Sequence, residues 1–203
     1  MRGTIFTITI VLALSALMLN GSEGKEYLDT AEEEKKAPGF TLTNYDGNEV
    51  GLSDYESKIV VLEWFNYECP FVRYHYEDVN TMTDLAEKYK EKDVVWLAIN
   101  STKHLKVEKN EKFAKKYNVS YPILDDRSGE VGKAYGAKTT PHMFIIDTEG
   151  KIVYNGAIDD SPLGKKQEDA TNYVDKALAE LTADKEISTP GTKPYGCSVK
   201  YAN

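Results

Sequence analysis

Apolar residues gather along this chain into short dense runs, and between the runs they recur at helical spacing. Residues 59–65 (IVVLEWF) are almost continuously apolar, as a strand buried on both faces requires, and residues 94–99 (VVWLAI) form a second such run. From Pro70 to about Lys90, Val79, Met82, Ala86 and Tyr89 fall at helical intervals and predict a helix. A charged helix with a thin apolar stripe of Val107, Phe113, Ala114 and Tyr117 follows, then a short strand at Ile123-Leu124 and a helix through Val131 and Tyr135. Residues 40–42 and 49–52 flank the turn signal Asp46-Gly47, and residues 143–146 and 152–154 flank Thr148-Glu149-Gly150, so each pair reads as a hairpin. Val174, Ala177, Leu178 and Leu181 repeat at i, i+3, i+4 and i+7, laying one face of a last helix on the sheet. A tail punctuated by Pro190, Gly191, Pro194 and Gly196 closes the chain. The alternation predicts an α/β sandwich around a central mixed sheet, with an N-terminal hairpin and an extended C-terminal tail.

Composition narrows the function. The 203 residues suit one domain with appendages, and 41% hydrophobic with 29% charged residues excludes both a disordered chain and a multi-span membrane protein. A net charge of −8 with no basic stripe argues against nucleic acid. Only Arg2, Arg73 and Arg127 are arginines, too few for a phosphate clamp. Cys69 and Cys197 are too few for a disulfide scaffold or a cysteine-built zinc site, and no metal or other cofactor is expected.

The N-terminus reads as an address. Arg2 precedes the apolar run 5–19, broken only by Thr7, Thr9 and Ser15, which is shorter than the roughly 20 residues a spanning helix needs. It suits a signal peptide over residues 1–24, with Ser22 and Gly24 as small residues near the cut; the alternative is an uncleaved anchor. A charged linker over 25–36, a main domain over 37–183 and a tail over 184–203 follow. The chain is expected to be exported, periplasmic or secreted, without stable membrane insertion once the signal is removed, in a compartment where two cysteines can stay bridged. Asn20, Asn100 and Asn118 begin Asn-x-Ser/Thr matches.

Cys69 falls just past the first buried run, with Pro70 after it at the first helical position. A thiol there meets unpaired backbone N–H groups and the positive end of the helix dipole, the arrangement a nucleophilic cysteine needs. A half-buried structural cysteine is the alternative. Glu63 is the only charged residue in the first run. A carboxylate in a doubly buried strand is costly unless neutral or paired, so its pKa should be raised, fitting it to exchange a proton with Cys69 directly or through water. The bland reading sends it to a lysine at the sheet edge. Thr140-Pro141 precedes the strand at 143–146, a place where proline is often cis. His142 reads either as a group facing Cys69, as base or metal ligand, or as a plain surface histidine; Arg73 as a partner of the thiol or a helix-surface residue; Asp159 and Asp160 as a loop cap.

Ala37-Pro38-Gly39-Phe40 through Leu52-Ser53-Asp54-Tyr55, then VVLEWFNYEC, then YGAKTTPHMFIID, are together similar to the thioredoxin-like redoxins, which include the alkyl hydroperoxide reductase/thiol-specific antioxidant group. More narrowly, Asn66-x-x-Cys69-Pro70-Phe71-Val72, YNGAIDD at 154–160 and Gly196-Cys197-Ser198-Val199-Lys200 resemble a peroxiredoxin-like branch of that group. The resemblance implies a thioredoxin-like three-layer sandwich, Cys69 as nucleophile, Glu63 as the buried acid, and Thr140 with a cis Pro141 as the place that receives substrate; the residues themselves add Asn66 as a source of a hydrogen bond to substrate and Phe71 as a groove wall.

The departures carry weight as well. Val72 stands where thioredoxins have their second cysteine, Thr139 where the narrower branch often has one, and Asn66 and Leu62 where peroxiredoxins have threonine and proline. Cys197 is left as the only possible partner, as a resolving thiol or a structural clip, the remaining alternative being a free thiol. The resulting expectation is an exported thiol-disulfide oxidoreductase, a peroxiredoxin-like antioxidant protein, working between a reducing dithiol protein and a disulfide or peroxide substrate. The alternative is a catalytically weak binding module that offers the cis-proline groove to a peptide or metal.

Overall fold

The computed structural model describes residues 36–166 and 169–202. The expected signal peptide and nearly all of the charged linker lie outside the described residues. The chain opens with a hairpin of β1 (Thr41–Asn44) and β2 (Glu49–Gly51), then enters β3 (Ile59–Trp64). Two helices, α1 (Pro70–Glu77) and α2 (Thr81–Tyr89), lead to β4 (Val94–Asn100), and α3 (Val107–Lys116) leads to β5 (Ile123–Asp125). Then come α4 (Glu130–Tyr135), the two-residue β6 (Thr139–Thr140), the hairpin of β7 (His142–Ile146) and β8 (Ile152–Gly156), α5 (Tyr173–Leu181) and a last short strand, β9 (Cys197–Ser198).

Seven strands form one sheet in the order β2-β1-β5-β4-β3-β7-β8. β3 and β4 run parallel, as do β4 and β5, while β7 pairs antiparallel with β3. β3 therefore has strands on both edges and all six of its residues buried, which is why its sequence is nearly continuous apolar. Alternate residues serve opposite faces. Val61, Ala98 and Ile145 pack beneath α1, α2, α3 and α5 through Val72, Met82, Phe113 and Val174. Leu62, Trp64, Leu97 and Phe144 pack against Tyr135 of α4 and Val50 of the hairpin. This is the expected mixed-sheet sandwich.

One expected element divides. The helix predicted from Pro70 to about Lys90 is two helices, broken at Asn80, whose φ of 51° lies in the left-handed region. Asparagine tolerates that conformation because its short polar side chain bonds locally. Val79, counted in the helical stripe, falls in the break and is 41% exposed; Leu85 takes its place on the buried face of α2 with Met82 and Tyr89. Asn100 is fully buried and hydrogen-bonded to Asn110, so it is no acceptor for a glycan in the folded chain.

The tail does not leave the domain. It runs back along β8, where the Asn155 N–H donates to the Pro190 carbonyl (3.1 Å) and the Thr192 N–H to the Asn155 carbonyl (3.1 Å). Gly156 makes room for it: a Cβ there would stand 2.2 Å from Thr192 Oγ1. β9 then pairs antiparallel with β6, and Tyr201 ends the strap by donating to the Ala137 carbonyl (2.8 Å).

Candidate active site

Cys69 is placed by a turn at the carboxyl end of β3. Asn66 makes that turn twice over, its carbonyl accepting from the Cys69 N–H (3.0 Å) and its Oδ1 from the Glu68 N–H (2.8 Å). Cys69 is the N-cap of α1 with extended backbone, and Pro70 follows at the first position, where no N–H is missed. The Sγ does not cap the helix; it donates across the site to the Thr140 carbonyl at 3.0 Å, and the residue is 2% exposed. The Thr140-Pro141 bond is cis, as expected from its position.

β9 completes the site. Its register sets Cys197 directly opposite Thr140, so the two cysteines converge on the same peptide unit. Both are free thiols, and the Cys69 sulfur lies close enough to Cys197 to bear on its titration. Burial pushes the Cys197 thiol up to about 11, the closeness of the Cys69 sulfur adds to the rise, and Lys200 opposes it. Gly196 is required here. Its φ is 122°, and a Cβ on it would stand 2.1 Å from the Thr140 carbonyl oxygen.

Glu63 is fully buried on β3, and burial raises its carboxyl to about 7. Tyr76 (2.7 Å) and Trp96 (3.1 Å) both donate to its Oε2, which limits the rise. Tyr121 joins the cluster through the Tyr76 hydroxyl at 2.8 Å. Oε1 has no hydrogen-bond partner among the described residues, so Glu63 reaches neither a lysine nor Cys69 directly. It is tied instead to α1, the helix that Cys69 begins, through Tyr76 in that helix's last turn.

The histidines behave differently from what their positions suggested. His142 is 2% exposed, not a surface residue, and it does not face Cys69. Its Nδ1 accepts from the Lys138 N–H (3.1 Å), so the proton sits on Nε2, which donates to Asn155 Oδ1 (2.7 Å). Burial lowers it to about 4, so it is neutral at ordinary pH, with neither nitrogen free. His75 is fully buried against Thr81 and Tyr195, and Arg73 is a surface residue paired with Glu77. Asp159 and Asp160 do cap their loop, through the Ser161 and Thr171 N–H groups. Of the remaining expected site residues, Thr140 and Pro141 lie under β9, Asn66 is used up in its turn, and Phe71 packs on Tyr195 of the tail at 5.9 Å.

Tyr76 belongs to the aromatic cluster that the sequence places mostly in the core, and it is buried four residues after Val72 on the same helix face, but its bond to Glu63 is not legible there. Two further residues leave no sequence signal. Tyr195 and Thr192, which fasten the tail, sit in a polar segment where no periodicity marks them.

The sequence pattern of the AhpC/TSA family matches residues 34–155, which takes in Cys69, Glu63 and Pro141 but stops short of Cys197. A thiol-disulfide oxidoreductase ResA of Bacillus cereus is 31% identical over 153 residues, covering 73% of this chain and 84% of that protein. Among solved structures, a hypothetical protein from Sinorhizobium meliloti 1021 superposes with a TM-score of 0.76 at 28% identity, over 86% of this chain and 97% of the other. A peroxidoxin BcpB from Mycobacterium tuberculosis superposes with a TM-score of 0.55 at 25% identity, over 74% and 96%.

Proposed function

The chain belongs to the AhpC/TSA family and is a thiol-dependent oxidoreductase with a thioredoxin-like fold, and from that premise we propose that Cys69 and Cys197 are its redox pair. One observation carries the proposal. The tail sets Cys197 opposite Thr140, whose carbonyl holds the Cys69 thiol, so two cysteines far apart in sequence are brought to the same peptide unit. Cys69 is the nucleophile. Glu63, raised into the neutral range, is the proton partner that responds to charge on the α1 side of the sheet. A disulfide substrate leaves as two thiols while the pair becomes a bridge, and an outside thiol restores it.

Disulfide exchange is favoured over peroxide reduction because Asn66, three residues before Cys69, spends its side-chain oxygen on the Glu68 N–H and offers no hydroxyl to a peroxide. An antioxidant role then runs through disulfides. The oxidising setting such a pair needs agrees with the apolar N-terminal run of an exported chain, mature from near Lys25, with the domain over 37–183 and the tail beyond.

The test is a thiol census on the whole protein, by alkylation with and without reductant, before and after a brief oxidant pulse, read by peptide mass. A Cys69–Cys197 bridge that forms on oxidation and opens with a dithiol is the expected result. Two thiols that ignore both reagents would overturn the assignment and favour a binding module.

A further inference from the structure

What reaches the redox pair follows from the way the tail lies over it, given the reading of Cys69 and Cys197 as that pair. A short strand with a free edge is a template for a visiting peptide, because its N–H and C=O groups offer main-chain hydrogen bonds. In β6 that edge is taken: Thr139 is paired with Ser198 and Thr140 with Cys197. The Thr140 carbonyl also holds the Cys69 thiol. Whatever residue stands opposite Thr140 is therefore the residue delivered to Cys69, and here it is the chain's own Cys197.

The strap is fastened on both sides of that cysteine. Upstream, the Tyr195 hydroxyl donates to Asp159 (2.6 Å) and meets His75 Nε2 (3.0 Å). Downstream, the Val199 N–H bonds the Lys138 carbonyl (3.1 Å) and the Lys200 carbonyl accepts from the Lys103 N–H (2.8 Å). Beneath it Cys69 is 2% exposed, whereas Cys197 is only half-buried.

We propose that the strap is a built-in occupant of the peptide edge, so that the site exchanges electrons with small thiols and their disulfides rather than with an extended polypeptide, and that the sulfur they meet is Cys197. In the oxidised protein a small thiolate attacks Cys197 Sγ, a new sulfur–sulfur bond forms as the Cys69–Cys197 bond breaks, and Cys69 leaves with the electron pair and takes a proton. A second small thiolate attacks the outer sulfur of the mixed disulfide and releases Cys197. Two thiols become one disulfide as the bridge becomes two thiols. With a small disulfide the same steps run backwards: Cys197 is the entry point that takes up the mixed disulfide as one thiol leaves, and Cys69, the nucleophile of the pair, attacks Cys197 Sγ, expels the second thiol and closes the bridge.

The full chain supports two separate readings. First, the oxidised protein is given limiting glutathione, quenched in acid and mapped by peptide mass; glutathione on Cys197 is expected, and glutathione on Cys69 would overturn the proposal. Second, the reduced protein is alkylated with iodoacetamide, which requires no redox turnover. Gly196→Ala places a Cβ against the Thr140 carbonyl and lifts the strap, so Cys69 should alkylate about tenfold faster or more than in the wild type. Tyr195→Phe removes only a hydroxyl and should move the rate in the same direction by less. Equal Cys69 rates in all three proteins would overturn the strap. If no bridge forms in the wild type, the redox-pair reading fails, and the alkylation rates still decide whether the strap shields Cys69.

Discussion

Glu63 and His142 are driven by burial to the same neutral state from opposite directions, and this gives the protein a pH profile that single variants can separate. The Glu63 carboxyl is raised to about 7 in the fold, so its contribution is present below about 4.5 and lost as pH climbs through 7. His142 is lowered to about 4, so its contribution is present above about 6.5 and lost as pH falls through 4. Each is worth about 3 kcal/mol, and between pH 4.5 and 6.5 the two slopes cancel. His75, also lowered by burial, adds to the histidine side. Relative to the wild type, Glu63→Gln should therefore gain stability from pH 4.5 to 6.5, and His142→Gln should lose it over the same range. Urea midpoints across that range check it, and three parallel curves would refute it. Glu63 was legible as the lone charge in an apolar run. The environment of His142 was not, because its partners are a backbone N–H and an asparagine on the neighbouring strand.

At the scale of elements, what could be read from the chain was whatever a short-range pattern encodes. β3, β4 and α5 appear within a residue or two of their expected limits because burial on both faces, or on one stripe, leaves its period in the sequence. The break at Asn80 was hidden because Val79 happens to continue the helical count although it lies outside both helices. Replacing Asn80 by alanine should cost about 1 kcal/mol, since a Cβ without a local hydrogen-bonding group is strained at positive φ; a stabilised variant in thermal unfolding would show that the break is not held by the asparagine. The strap was illegible for a different reason. It is held by main-chain bonds and single hydroxyls to β8 and β6, neither of which selects apolar residues. Upstream, a Cβ at Gly156 would collide with the strap at Thr192. Gly156→Ala should push Thr192 off β8, lower stability by about 1–3 kcal/mol and slow closure of the Cys69–Cys197 bridge. A variant that closes the bridge at the wild-type rate would detach the upstream anchor from the chemistry.

For the molecule as a whole, the two cysteines are far apart in sequence and yet are brought to the same peptide unit before any bridge forms. A bridge between residues so distant removes much of the freedom of the unfolded chain, worth about 5 kcal/mol in the chain-entropy account. By the thermodynamic cycle, whatever the bridge adds to folding, folding adds to the bridge. The folded pair should then be harder to reduce than the same cysteines in the unfolded chain by about 100 mV. If Cys69 and Cys197 form that bridge, the fold pulls the pair towards the oxidised state, and the expected direction is electron donation from the dithiol to a disulfide substrate. Urea unfolding of the oxidised and reduced forms should show the oxidised form more stable by several kcal/mol, with no difference in Cys197→Ser, and titration against glutathione should find the bridge favoured. Superimposed unfolding curves would mean that the fold exerts no such pull, and the direction of flow would then have to be set by the partner thiol rather than by the long loop between residues 69 and 197.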